Sequence, residues 1–97
     1  MPIYIGLHKF TEQGRKELKG FADRMEAAQK NAQQHGIRVL GQYVTMGEYD
    51  AVTIVEAPDE ETVAKGALRI LAGGHTVSST VRAFTPEEFR KLASDLP

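Results

Sequence analysis

The sequence predicts an α+β fold with the element order β-α-β-β-α-β and one more helix at the C-terminus. Three observations predict it. Four segments alternate residue by residue between two side-chain classes, as strands do. Two segments between them repeat apolar residues every three or four positions, as one face of a helix does. Residues 43–55, YVTMGEYDAVTIV, join two strand-like runs through a glycine and read as a hairpin.

Taken in order, Ile3, Ile5 and Leu7 alternate with Tyr4, Gly6 and His8, so an aliphatic face opposes a mixed one. Thr11 suits a helix N-cap, with Glu12 in the first turn. Leu18, Phe21, Met25, Ala28 and Ala32 then recur at helical spacing. Gly14 and Gly20 each weaken a helix by about 1 kcal/mol relative to alanine, which predicts a break near Gly20. Gly36 fits the left-handed position past a helix end, and Ile37 opens the second strand.

In the hairpin, Gly47-Glu48 fits a two-residue type II′ turn. That register sets Met46 opposite Tyr49, Val44 opposite Ala51 and Gln42 opposite Thr53, with Leu40 and Val55 on the same face. The other face carries Val39, Tyr43, Val52 and Ile54, so both faces are largely apolar and each needs a cover. A bulge would shift this register. Asp50 follows the turn, where its carboxylate can accept backbone N–H groups.

Pro58 stops the third strand, and Asp59 caps a helix that Glu60 and Glu61 favour at its N-terminus. Val63, Ala64, Ala67, Leu68 and Leu71 form the expected buried stripe, and Gly73-Gly74 ends it. Val77, Val81 and Ala83 alternate with Ser78, Thr80 and Arg82 in the fourth strand. Thr85, Pro86 and Glu88 fit the N-cap, N1 and N3 positions of a capping box, with Phe84 and Phe89 as a hydrophobic staple and a helix to about Ser94.

This order is the ferredoxin-like split βαβ arrangement, with a four-stranded antiparallel sheet and both connecting helices on one side. The expectation is that the uncovered face holds Leu40, Val44, Met46, Ala51 and Val55, and that two such faces pack together in a homodimer or a higher homo-oligomer.

Totals bound the rest. Ninety-seven residues make one domain. The net charge is −1 and Lys and Arg are scattered, which is no nucleic-acid footprint. The absence of cysteine excludes disulfides, thiol nucleophiles and thiolate metal sites. No apolar run reaches the roughly 20 residues of a membrane span, and no signal-peptide pattern opens the chain. The reading is a cytoplasmic protein with no membrane or nucleic-acid partner.

PIYIGLHKFTEQG, TMGEYD, VEAPDEET and RAFTPEEF, in that order, resemble the GYD-domain family, with Gly47, Tyr49 and Asp50 as the namesake residues. The resemblance implies a dimeric α+β barrel. The hairpin and VSSTVRAF are also similar to the effector-binding domain of Lrp/AsnC regulators, which implies amino-acid binding between subunits. No DNA-binding helix-turn-helix precedes the domain, so this likeness implies at most a stand-alone sensor.

His8, His35 and His75 lack metal-ligand spacing, so no metal site and no cofactor is expected. The polar residues of one sheet face, Tyr4, His8, Gln42, Thr53, Thr80 and Arg82, with Ser78, form a candidate ligand site between two packed sheets. Arg82 would hold a small organic anion and His8 would act as donor or base. A hydrogen-bonded polar layer at a dimer interface, or a solvated strand edge, accounts for the same residues. The functional reading is a small ligand-binding or assembly module. A cofactor-independent oxygenase or isomerase, and an amino-acid sensor centred on residues 47–50, are the alternatives.

Overall fold

The computed structural model describes residues 1–97. Its strands are β1 (Ile3–Phe10), β2 (Arg38–Val44), β3 (Ala51–Glu56) and β4 (Thr76–Ala83). They form one antiparallel sheet in the order β2-β3-β1-β4. Helix α1 (Glu12–Lys16), a 3-10 turn (Leu18–Gly20) and α2 (Phe21–Gln34) connect β1 to β2, so the break at Gly20 is real. Helix α3 (Glu60–Ala72) connects β3 to β4, and α4 (Pro86–Leu92) follows β4. This is the ferredoxin-like α+β fold. No helix is long and apolar enough to cross a membrane.

The caps fall where the residue types favour them. Thr11 accepts from the Gly14 N–H, Asp59 from Thr62 and Thr85 from Glu88. Glu88 returns the bond to the Thr85 N–H, which completes the capping box. Those backbone bonds hold the Asp59 and Glu88 carboxyls below their ordinary range. Gly36 and Gly74 take positive φ at the ends of α2 and α3.

The hairpin differs from expectation in two ways. The pairs Val44–Ala51 and Gln42–Thr53 form, but a bulge between Val39 and Gly41 pairs Val39, and not Leu40, with Val55. The turn is a four-residue loop, Met46 to Tyr49, closed by the Thr45 N–H donating to the Asp50 carbonyl at 2.9 Å. Gly47 has φ +108°, so its conformational freedom is used, but in a wider loop than a two-residue turn.

The largest correction concerns which sheet face the helices cover. Tyr4, Gly6 and His8 pair laterally with Val55, Thr53 and Ala51 on one side and with Arg82, Thr80 and Ser78 on the other. This face lies under α2 and α3. Tyr4 joins Ile37, Ala57 and Val63 in the main buried cluster, with Ala32 and Val55 against it. Ala51 and Val55, expected on the open face, therefore lie beneath the helices, while Leu40, Val44 and Met46 are exposed. The uncovered face instead presents Ile3, Ile5, Leu7, Tyr43, Val52, Ile54, Val77 and Val81. Alternation separates the two residue sets correctly, but it does not say which one the helices choose.

Packing within the protomer is sparse. Only nine of 97 residues are buried, and α2 buries none of its own. Leu68 and Leu71 of the expected α3 stripe are 62% and 52% exposed, because α3 presents Val63, Gly66, Ala67 and Ile70 to the sheet side. Leu18 is also half exposed. Helix α4 does not dock as expected: Phe84, Phe89 and Leu92 are all more than half exposed.

Candidate functional site

Two places gather unusual chemistry. The first is the end of β1 against the hairpin loop. The Asp50 carboxylate accepts the Phe10 N–H at 2.8 Å, and the Asp50 N–H donates to the His8 carbonyl at 2.8 Å. The Tyr49 carbonyl accepts the Thr45 hydroxyl at 2.6 Å, and the Lys9 ammonium lies 5.3 Å from the Tyr49 ring centre. Asp50 thus stitches the hairpin to β1 at His8 and Phe10, Tyr49 closes the loop onto Thr45 and lies near Lys9, and Gly47 supplies the positive φ of the loop.

The second place is a cavity of about 580 Å³ between the sheet and the gap separating α2 from α3. His8, Gln42, Thr53, Ser78 and Thr80 lie on its sheet side. His8 is buried and bridges two hydroxyls, with Nδ1 2.5 Å from Ser78 Oγ and Nε2 3.0 Å from Thr53 Oγ1. Burial disfavours the imidazolium and pushes His8 below its ordinary pKa of 6.5. A neutral ring donates from one nitrogen and accepts on the other, and a hydroxyl serves either role. Gly6 makes room for this bridge, because a Cβ there would stand 2.7 Å from Thr53 Oγ1 and 2.9 Å from His8 Nε2. Gln42 donates to the Met25 carbonyl at 3.1 Å and ties the sheet to α2.

Of the residues expected to form a ligand site, His8, Gln42, Thr53 and Thr80 come together in this cavity, joined by Ser78. Tyr4 is core. Arg82 is at the far end of its strand, where its guanidinium packs 4.3 Å from the Phe84 ring centre and 5.7 Å from that of Tyr4. It also bonds the Ile3 and Ala83 carbonyls and pairs with Glu88 at 3.6 Å. The structure therefore does not bring Arg82 to His8. The cationic groups that do line the cavity are Arg24 of α2 and Arg69 of α3. The signal for them was present: each falls three residues from another cavity-lining position, Phe21 and Gly66, and so shares the inward helix face.

In chemical terms, His8 can relay a proton between two hydroxyls. No carboxylate orients it, since its ring bonds only Ser78 and Thr53. No group of three or more His, Asp or Glu side chains is placed to hold a metal ion.

The GYD domain family model matches residues 4–93, which contain both the Asp50 stitch and the His8 bridge. The chain belongs to the GYD domain family. A curated relative from Thermus thermophilus is 36% identical over 84 residues, covering 86% of this chain and 88% of the relative. Its name is "Glutamine synthetase and cystathionine beta-lyase binding protein". No solved structure matches the chain. For this GYD protein Tyr49 and Asp50 are hydrogen-bonded parts of the fold and Gly47 takes the positive φ of the loop, which accounts for their place in the hairpin without any ligand.

Proposed function

We propose that this GYD protein is a binding and assembly module: a homodimer, formed through the uncovered sheet face, that docks onto other proteins. The observation that carries the reading is the row of aliphatic side chains on that face. Ile5 lies between Ile54 and Val81, and Leu7 lies beside Val52; Tyr43, Val77 and Val81 are exposed and the others half-buried, on the face away from α2 and α3. Exposed apolar patches of more than a few hundred Å² mark interaction sites. A two-fold pairing of this face covers it with a copy of itself. The name of the Thermus relative supports metabolic enzymes, glutamine synthetase and cystathionine β-lyase among them, as the class of protein partner. Leu68 and Leu71 on α3, and Phe89 and Leu92 on α4, remain available for such a partner. The module acts in the cytoplasm, and it binds rather than transforms.

The experiment is sedimentation of wild type and Ile54→Lys, followed by titration with purified glutamine synthetase and cystathionine β-lyase. Wild type sediments at twice the chain mass and the variant at the chain mass. A monomeric wild type rejects the dimer, and no binding to either enzyme rejects that partner class.

A second reading is favoured by one specific observation, the cavity over His8: the module also holds a small ligand between its sheet and helices.

A further inference from the structure

We infer that the cavity between the sheet and the α2–α3 layer binds an apolar organic anion, with Arg24 and Arg69 as its cationic donors. The inference rests on the second reading above, that the cavity is a ligand compartment, and adds the ligand's chemical class.

Its size comes first. A volume of about 580 Å³ lies within the usual range for small-molecule sites. The lining comes next. Phe21, Met25, Val55, Val63 and Ile70 supply apolar walls, which suit a hydrophobic body.

Charge then decides the class. The chain carries 13 acidic and 12 basic residues, yet no Asp or Glu lines the cavity, whereas two arginines do. The independent observation is that both arginines have a buried nitrogen without a hydrogen-bond partner, Nε of Arg24 and Nη2 of Arg69. Buried polar groups are nearly always paired, and a buried charged donor left alone is costly. Neither arginine has a carboxylate within ion-pair distance. Arg24 is also oriented: its Nη2 donates to the Glu17 carbonyl at 2.7 Å, and its guanidinium lies 5.8 Å from the Phe21 ring centre. What remains free is one nitrogen on each side chain, Nε of Arg24 and Nη2 of Arg69, a charged donor suited to a carboxylate or phosphate oxygen. His8 is already satisfied by Ser78 and Thr53 and stays neutral, so it neither competes for the anion nor repels an apolar body.

The test uses 1-naphthoate as probe and neutral 1-naphthamide as its isostere. Both are titrated into the full chain by calorimetry, with backbone NMR shifts to locate binding. Arg24→Gln and Arg69→Gln are compared with Arg90→Gln, a control on exposed α4. The expected result is saturable naphthoate binding that shifts the amides of Met25, Thr53 and Val63. Naphthamide binds at least about tenfold more weakly, each cavity variant loses a similar factor for naphthoate alone, and the control loses none. The comparison of the two probes on wild type stands even where a variant fails to fold. Equal binding of the two probes overturns the anion assignment while leaving a ligand compartment in place. Binding of neither probe, or shifts confined to the open sheet face, overturns both.

Discussion

The two faces of the sheet differ in composition and in cover. The face under the helices is mixed: Tyr4, Ala51 and Val55 pack into the core, and Gly6, His8, Gln42, Thr53, Ser78 and Thr80 lie beside a cavity. The face turned away from them carries Ile3, Ile5, Leu7, Val52, Ile54, Val77 and Val81. Full burial of a large aliphatic side chain contributes roughly 1.5–3 kcal/mol, and of these seven Val77 and Val81 are exposed and the rest half-buried, so part of that contribution is still to be gained by covering the face. The difference is what the proposed dimer would use: the helices cover a mixed face that holds the cavity, and the aliphatic row on the other face is the surface a second copy would cover.

The largest expected effect breaks the aliphatic face. Ile54→Lys places an unpaired charge at its centre and should weaken the proposed dimer by about 3 kcal/mol, or more than a hundredfold, measured by sedimentation over a concentration series. Next is Asp50→Ala, which leaves the Phe10 N–H unpaired where β1 meets the hairpin. The cost is about 1–3 kcal/mol in denaturant unfolding. Asp50→Asn, which keeps an acceptor oxygen, should lose less. Gly47→Val should cost about 1 kcal/mol or more through its positive φ alone, since a Cβ there meets nothing within 4 Å. A midpoint equal to wild type would show that the loop relaxes freely.

The polar face is probed by pH. His8 has a folded-state pKa below its ordinary 6.5, so the unfolded chain binds the extra proton more readily. Its contribution is complete above 6.5 and is lost as pH falls from there toward the lower folded value. His8→Gln should flatten stability in that window, and an unchanged slope would assign it to other groups. The smallest effect is at α4: Phe89→Ser should change protomer unfolding by no more than about 0.5 kcal/mol, because that side chain is 61% exposed.

The sequence showed the element order, the caps and the grouping of polar residues on one face, because periodicity and capping chemistry are local. It could not show which face the helices cover. Ile3, Ile5 and Leu7 look like a core row, and in a single chain they would be one; only the placement of α2 and α3 turns them outward. The bulge at Leu40 was likewise invisible, since Val39 and Leu40 are both apolar and either could oppose Val55. His8 was legible through its alternation with Ile5 and Leu7. Arg82 looked like its partner because the two share a face, but two strand residues of the same face can stand at opposite ends of it. Arg24 and Arg69 went unnoticed because an arginine within an apolar helix stripe reads as a solvent-facing interruption.

The most direct measurement is an isotope-filtered NMR experiment on a dimer mixed from ¹³C-labelled and unlabelled chains. The account predicts contacts between subunits among the methyl groups of Ile5, Leu7, Val52, Ile54 and Val81. Contacts between subunits confined to α2, α3 or α4, or none among those methyls, would contradict it.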